Sequence, residues 1–498
     1  MKKHLVFPAL FFTLRLLYAQ EGSGPQDPVP GVSPVPAVPG GNLPQKSIEE
    51  QRRDTLLYGT ETEVAALIQT LTGEGTADFD EPLITLVETS RNRTIISGIF
   101  GFFSGREQPG LENRALRALG ERDEEANETI LAAVEYLGKL GVGEGIPALE
   151  ELITGGENRF LNAAFRALGR IAGKRAAPKG GEDSEAPSGD AGKEAREISD
   201  RAAEFLTDYY INKDPGDENR RELIVALGET LSKNAVPLLA DLAVNEEERA
   251  PLRMAALGSL AKIGDAAGLE AVIKALSSTD PNVRSAAVGA LAPFTGKPVD
   301  AAILDGLRDS YYRTRLAAAE AAKTRKLESA VPYLRFRAER DEVPAVRDEA
   351  IRALGAIGTK ETTDILYGLF KEKKNADRLR LSAAEMLCRK DPDNLAPLII
   401  LELEEAKRKN QPLYNGFLRV LGNAETPKLE ELARSFLSAG GVVEKSLALD
   451  ISLKNEYRSL AEEIRALLDP KRGNQSLARK AQATLEKLGI EKTGEGES

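Results

Sequence analysis

The sequence predicts an all-α protein, an α-solenoid of about ten to eleven antiparallel helical hairpins with a period near 32 residues. Three observations predict it. From about residue 129 an apolar anchor recurs at Leu137, Leu168, Leu227, Leu260, Leu291, Ala322, Leu354, Leu387 and Leu421. Outside the interval from 168 to 227, successive anchors stand 31 to 34 residues apart, the length of one helix–turn–helix unit. Four residues before the anchor a small residue recurs, at Ala133, Ala164, Ala256, Ala287, Ala318, Ala350, Ala383 and Ala481. One helical turn separates the two positions, so both lie on one face, and the small one lets a neighbouring helix come close. Finally, aromatics make up only 5% of the chain and Trp is absent, as suits a core packed through Ala, Leu and Gly.

The elements follow in chain order. Residues 1–19 read as a signal peptide, with Lys2 and Lys3 as the basic start, an apolar run over 5–17 and a Leu17-Tyr18-Ala19 cleavage site. A retained membrane anchor is the alternative, although Arg15 interrupts the run and the run is short for a span. No Cys lies near the cleavage site, so lipid attachment there is not expected. Residues 20–46 form a Pro/Gly-rich linker, expected to be disordered, with Pro at 25, 28, 30, 34, 36, 39 and 44. Residues 47–128 carry helical patterning without a clear register and read as an N-terminal cap with degenerate repeats. The apolar run 95–105 reads either as the cap's core or as a partner-binding patch. Residues 129–489 are the solenoid, interrupted at about 174–195 by a Gly-, Pro- and charge-rich insertion expected to be disordered. Residues 490–498 read as a disordered tail.

Each unit reads as helix A, a short turn and an Ala-rich helix B. Ten residues after the anchor, Pro147, Pro237, Pro332 and Pro397 suit the first turn of helix A, where the missing N–H is not needed. Two residues on, an apolar position recurs at Leu149, Leu239, Val272, Ile303, Leu334, Leu366 and Ile399. One residue after the anchor stands Gly138, Gly169, Gly228, Gly355 or Gly422, placed near the end of helix B as a cap. Cys388 occupies the same slot and reads as a buried space-filler, with a reactive thiol beside Arg389 and Lys390 as the alternative. Seven residues before the anchor stands an Arg in six consecutive units: Arg220, Arg253, Arg284, Arg315, Arg347 and Arg380.

Segments such as "DPNVRSAAVGAL" (280–291) and "VPAVRDEAIRALGAIG" (343–358) resemble HEAT-like repeats of the phycobilin-lyase type. The resemblance implies that the B helices line a concave surface. It also implies that the six Arg form a structural ladder, hydrogen-bonding within or between repeats. The Asp that often precedes that Arg in the family is present only at Asp280, so a continuous Asp–Arg ladder does not follow from the resemblance. The segment "DTLLYGTETEV" (54–64), with the proline tether ahead of it, is similar to exported helical-repeat proteins of spirochaetes.

The chain has one His, His4, and one Cys. That excludes a Ser-His-Asp triad, a Cys-His dyad, His-ligated metals and a thiolate cluster. No Walker, Rossmann or EF-hand pattern is present, so neither enzymatic activity nor a cofactor or metal is expected. The net charge is −11, and loss of residues 1–19 would remove three bases and no acid, taking it to −14. Such a chain repels a phosphate backbone, so nucleic acid is not an expected partner. Residues 301–390 depart from this balance, with 19 Lys or Arg against 14 Asp or Glu. Tyr311, Tyr312, Arg313, Arg335, Phe336 and Arg337 lie there, and aromatic and Arg side chains together mark candidate partner-binding residues. The expected function is a non-enzymatic scaffold of the periplasm or cell envelope, binding proteins or extended peptides. The alternatives are a cofactor-handling, lyase-like protein acting on a tetrapyrrole, and a structural spacer in an envelope assembly. No membrane span is expected once the leader is removed.

Overall fold

The computed structural model describes residues 46–177, 189–213, 215–469 and 474–490. The expected leader, nearly all of the linker and residues 491–498 lie outside the described residues. Backbone contacts divide the chain at residue 52. Of the first unit only 46–52 are described, the opening of α1 (Ile48–Tyr58), where Ser47 and Glu50 cap each other's backbone N–H.

The second unit is a two-layered stack of helical hairpins, with no strand among the described residues. Its A helices are α3 (Asp80–Thr89), α5 (Glu112–Gly120), α7 (Ile146–Thr154), α9 (Gly189–Asn212), α11 (Val236–Val244), α13 (Leu269–Ala275), α15 (Lys297–Gly306), α17 (Val331–Arg340), α19 (Lys360–Lys371), α21 (Pro392–Lys409), α23 (Glu430–Ala439) and α25 (Ala461–Arg465). Its B helices are α2 (Glu61–Glu74), α4 (Arg93–Gly105), α6 (Asn127–Leu140), α8 (Asn158–Ala176), α10 (Asp217–Glu229), α12 (Ala250–Ile263), α14 (Pro281–Ala290), α16 (Tyr312–Arg325), α18 (Pro344–Ile357), α20 (Asp377–Lys390), α22 (Gln411–Gly422), α24 (Val442–Lys454) and α26 (Gln475–Lys487). Each B helix packs on the B helix before and after it, in an unbroken row from α2 to α26, while A helices approach one another less closely. This is the all-α solenoid that the repeat predicts. It reaches back into the region read as a cap, because α3 and α4 already form a hairpin stacked in the same row.

The repeat positions explain the packing. All eight small residues four before the anchor are fully buried, as is the apolar position twelve after it, apart from Leu366 at 3%. A Cβ added to Gly138 would lie 2.8 Å from Ala167 Cα, and one added to Gly228 would lie 2.7 Å from Ser259 Cα. These glycines therefore sit inside the helix at the seam with the next B helix, and are not the helix caps that their position suggested. The left-handed cap comes three residues later, at Gly141, Gly264 and Gly358, with Leu231 and Lys326 taking that backbone conformation in two other units. Cys388 fills the seam slot with a buried side chain, its Sγ 3.2 Å from the Val420 carbonyl oxygen.

Three further expectations are adjusted. Pro397 lies inside α21, because Pro392 starts that helix a turn and a half earlier. The insertion is shorter than read: α8 runs to Ala176 and α9 begins at Gly189, and the residues between 178 and 188 lie outside the described residues. Helix α9 forms because Ile198, Ala202, Phe205, Leu206 and Tyr209 recur at helical spacing and pack on the core, a pattern hidden by the polar residues around it. The run 95–105 is core: Ile99, Phe100 and Phe103 are fully buried in α4. There Phe100 packs against Tyr136, whose hydroxyl accepts the Leu111 N–H and is pushed up to about 12 by burial.

Candidate functional site

The six ladder Arg all lie in the first turn of B helices, but they do not bond alike. Arg284 grips both carboxylate oxygens of Asp309, at 2.7 and 3.1 Å. Arg315 grips those of Asp341, at 2.7 and 2.8 Å, and donates to the backbone oxygens of Asp309 and Ser310. Arg347 donates to the backbone oxygen of Asp341. Each Asp also accepts the N–H two residues on, from Tyr311 or Val343, so one carboxylate caps its own turn and holds the preceding repeat. Burial pushes both carboxyls up, but the Arg hydrogen bonds and charges and the turn N–H outweigh it and leave both lowered.

The ladder therefore runs Arg284, Asp309, Arg315, Asp341, Arg347. It stops where the carboxylate six residues before the Arg is missing, at Ser278 on one side and Lys374 on the other. Arg253 and Arg380 are buried too, but they donate to the carbonyls of Ala243 and Phe370 and pair with Glu246 and Glu402. The Arg253 and Thr279 hydrogen bonds hold Glu246 down at about 2. Arg220 reaches Glu248 at 3.8 Å and lies over the Tyr210 ring. Sequence reasoning looked for an acid at Asp280, which instead caps α14. The missed signal was the Asp six residues before Arg315 and before Arg347.

The six candidate partner-binding residues fall into separate places. Tyr311 and Tyr312 meet edge to face at the start of α16, with the Tyr311 hydroxyl on Asn282 and Arg313 donating to the Tyr312 hydroxyl at 3.1 Å. The other three are consecutive on α17, so their side chains fan out about 100° apart and do not share one face. Arg335 pairs with Glu339 and lines a trough of about 860 Å³ between α17 and α19. Phe336 is 49% exposed, with the Arg337 guanidinium 5.1 Å from its ring centre. Arg337 also donates to Asp341, the carboxylate that Arg315 holds, which ties it to the ladder.

The B-helix face carries a second regularity that the sequence reading did not register. Lys174, Arg325, Lys390 and Lys454, near the ends of B helices, donate to the backbone oxygens of Lys139, Phe294, Gly358 and Asn423. Each acceptor lies at or just past the end of the preceding B helix, where carbonyls lack helical partners and the helix dipole favours a cation. Between these ends run open troughs. One of about 810 Å³ crosses α16, α18 and α20, and one of about 670 Å³ crosses α20, α22 and α24. A third, of about 430 Å³, crosses α6, α8, α10 and α12. Among the described residues no group of three or more acidic, His or Cys side chains is placed to hold a metal.

A family profile described as "Spirochaete HEAT repeat protein" matches residues 56–484. The chain belongs to this family. Membership accounts for the helical row from α2 to α26 and places α2 to α4 inside the repeat region. None of the curated proteins matches the sequence. Among solved structures, this HEAT-repeat chain is similar to Kap121p bound to Pho4p, at 11% identity and a TM-score of 0.49 over 88% of this chain and 53% of that one. It is also similar to Kap121p alone, at 11% identity and a TM-score of 0.48, again over 88% and 53%. The chain spans about half the length of those it matches.

Proposed function

We propose that the protein is a non-enzymatic, exported scaffold that binds proteins or extended peptides of the cell envelope along the row of B helices. The observation that carries this reading is the placement of the troughs. The three troughs that cross B helices span the seams between successive repeats instead of sitting inside one hairpin, which suits an extended polypeptide better than a small molecule. Stacked helical repeats use such extended surfaces for binding. No described helix is long and apolar enough to cross a membrane. Export is the part that rests on residues 1–19 alone.

Crosslinking in the native cell, followed by identification of the crosslinked proteins, tests the reading. A reproducible set of envelope proteins linked through B-helix positions supports it, and crosslinks confined to A helices count against it. The same purified material tests export, since a mature chain beginning at Gln20 is expected.

A further inference from the structure

The two troughs that meet at α20 form one continuous basic channel, and we infer that it binds an acidic, extended peptide segment of a partner protein. This rests on the scaffold reading and gives it a ligand chemistry and a site. Both troughs are lined by Glu385 and Arg389, so they are contiguous. Their basic lining residues are Lys323, Arg352, Arg389, Lys390, Arg419 and Lys454, against three acidic ones, Asp348, Glu385 and Glu425. This excess of positive charge lies in a chain of net charge −11.

The local ion pairs do not neutralise it. Glu349, just below the channel, takes both Lys323 and Arg352, Glu385 takes Arg419, Glu425 takes Lys454, and Asp348 is held by Arg378 from outside the channel, so the excess rests on Lys390 and Arg389. Lys390 spends its ammonium on the Gly358 carbonyl, which leaves its charge uncompensated. Arg389 is exposed at the junction of the two troughs and has neither a hydrogen bond nor an ion pair among the described residues. An unpaired guanidinium at the centre of a positively lined channel attracts a carboxylate, which it can hold in bidentate fashion.

Length fixes the kind of ligand. Four helix-to-helix steps separate α16 from α24, and helices pack about 8–10 Å apart, giving roughly 35 Å. An extended chain rises about 3.3 Å per residue, so the channel fits about ten residues. A nucleic acid would meet the same cations, but its long phosphate backbone would also meet the acidic remainder of the molecule, which favours a short acidic peptide.

Fluorescence anisotropy on the full chain tests this with a labelled twelve-residue peptide bearing Glu at every second position. The expected result is saturable binding that weakens as salt rises and that is at least tenfold stronger than for the same peptide with Gln in place of Glu. Arg389→Glu should reduce binding about tenfold or more and Arg389→Lys should recover most of it, with thermal melting close to the parent's because Arg389 makes no hydrogen bond or ion pair among the described residues. Arg91→Glu, an equal charge change at an exposed turn between α3 and α4 and outside the channel, should leave binding intact. Equal affinity for the Gln peptide, indifference to Arg389→Glu, or tighter binding of a twelve-nucleotide oligothymidylate would each overturn the inference. Native-cell crosslinking separates it from the reading beneath. Partners retained by Arg389→Glu sink the acidic-peptide site and leave the scaffold standing, whereas a wild-type chain without B-face partners sinks the scaffold itself.

Discussion

Arg315 and Asp341 show how much a single pair can carry in this stack. Both side chains are almost fully buried, at 4% and 0% exposed, and they join two repeats through two parallel hydrogen bonds. Removing one partner of a buried pair strands the other charge, so Arg315→Ala should cost about 3 kcal/mol or more, measured by denaturant unfolding. Arg347→Ala, which loses a bond to a backbone oxygen from a half-buried site, should cost about 1 kcal/mol. The Asp309 and Asp341 carboxyls are lowered in the fold, so their stabilisation is complete above the ordinary carboxylate value near 4 and is lost as pH falls below it. Thermal midpoints should therefore fall steeply below about pH 4, and less steeply in Asp341→Asn, which has less left to lose. Cys388 makes a contrasting prediction. Burial raises its thiol, and neighbouring Lys454 and Arg389 only partly counter this, so a thiol reagent should label the native protein slowly and the unfolded chain at once. That burial was legible in the sequence, because Cys388 shares a repeat slot with five glycines. The partners of the ladder left only the Asp six residues before Arg315 and before Arg347 as a trace, because the turn residue that faces inward is set by how the next repeat packs.

At the level of the helix, the repeat specifies two small-residue positions with different physics. The glycine one after the anchor is a matter of space, and the one four after it a matter of backbone angle. Gly228→Val would place a β-branched side chain against Ser259 Cα and should cost about 1–3 kcal/mol through overpacking. Gly264→Ala meets no atom closer than 3.5 Å but holds φ at 66°, so it should cost about 1 kcal/mol from strain alone. Unfolding curves should rank the two in that order, and a Gly264 variant that melts like the parent would mean the turn relaxes freely. The periodicity exposed both positions, yet gave the capping role to the wrong one, since spacing along a helix does not reveal where the helix ends. The same limit explains the candidate patch. Arg335, Phe336 and Arg337 are neighbours in sequence, but a helix turns them toward a trough, solvent and the ladder. The cations closing one B helix onto the next lie about 31 to 35 residues from their acceptors, a regularity visible only once the stack defines which ends meet.

A stack in which every repeat touches mainly its neighbours distributes stability as a chain of local couplings. That organisation made the fold readable, because one unit's pattern predicts the next, and it left the binding surface unread, because exposed positions need not repeat. It also sets how damage spreads. The ladder couples α14, α16 and α18 through Asp309 and Asp341, whereas beyond Ser278 and Lys374 the units are joined by different carboxylates, such as Glu246, Glu402 and Glu444, outside this Arg–Asp register. Losing it should loosen the middle of the molecule without melting its ends. Hydrogen exchange measured peptide by peptide tests this. In Arg315→Ala, amides of α14 to α18 should exchange about a hundredfold faster, the factor corresponding to roughly 3 kcal/mol, if they open as a local unit. Those of α4 to α8 should keep the parent's protection, because their core of Phe100, Phe103, Tyr136 and Phe165 is fully buried and shares no side chain with the ladder. Uniform acceleration along the whole chain would show instead that the repeats unfold as one cooperative body, and that the couplings at the seams outweigh the stability of any single hairpin.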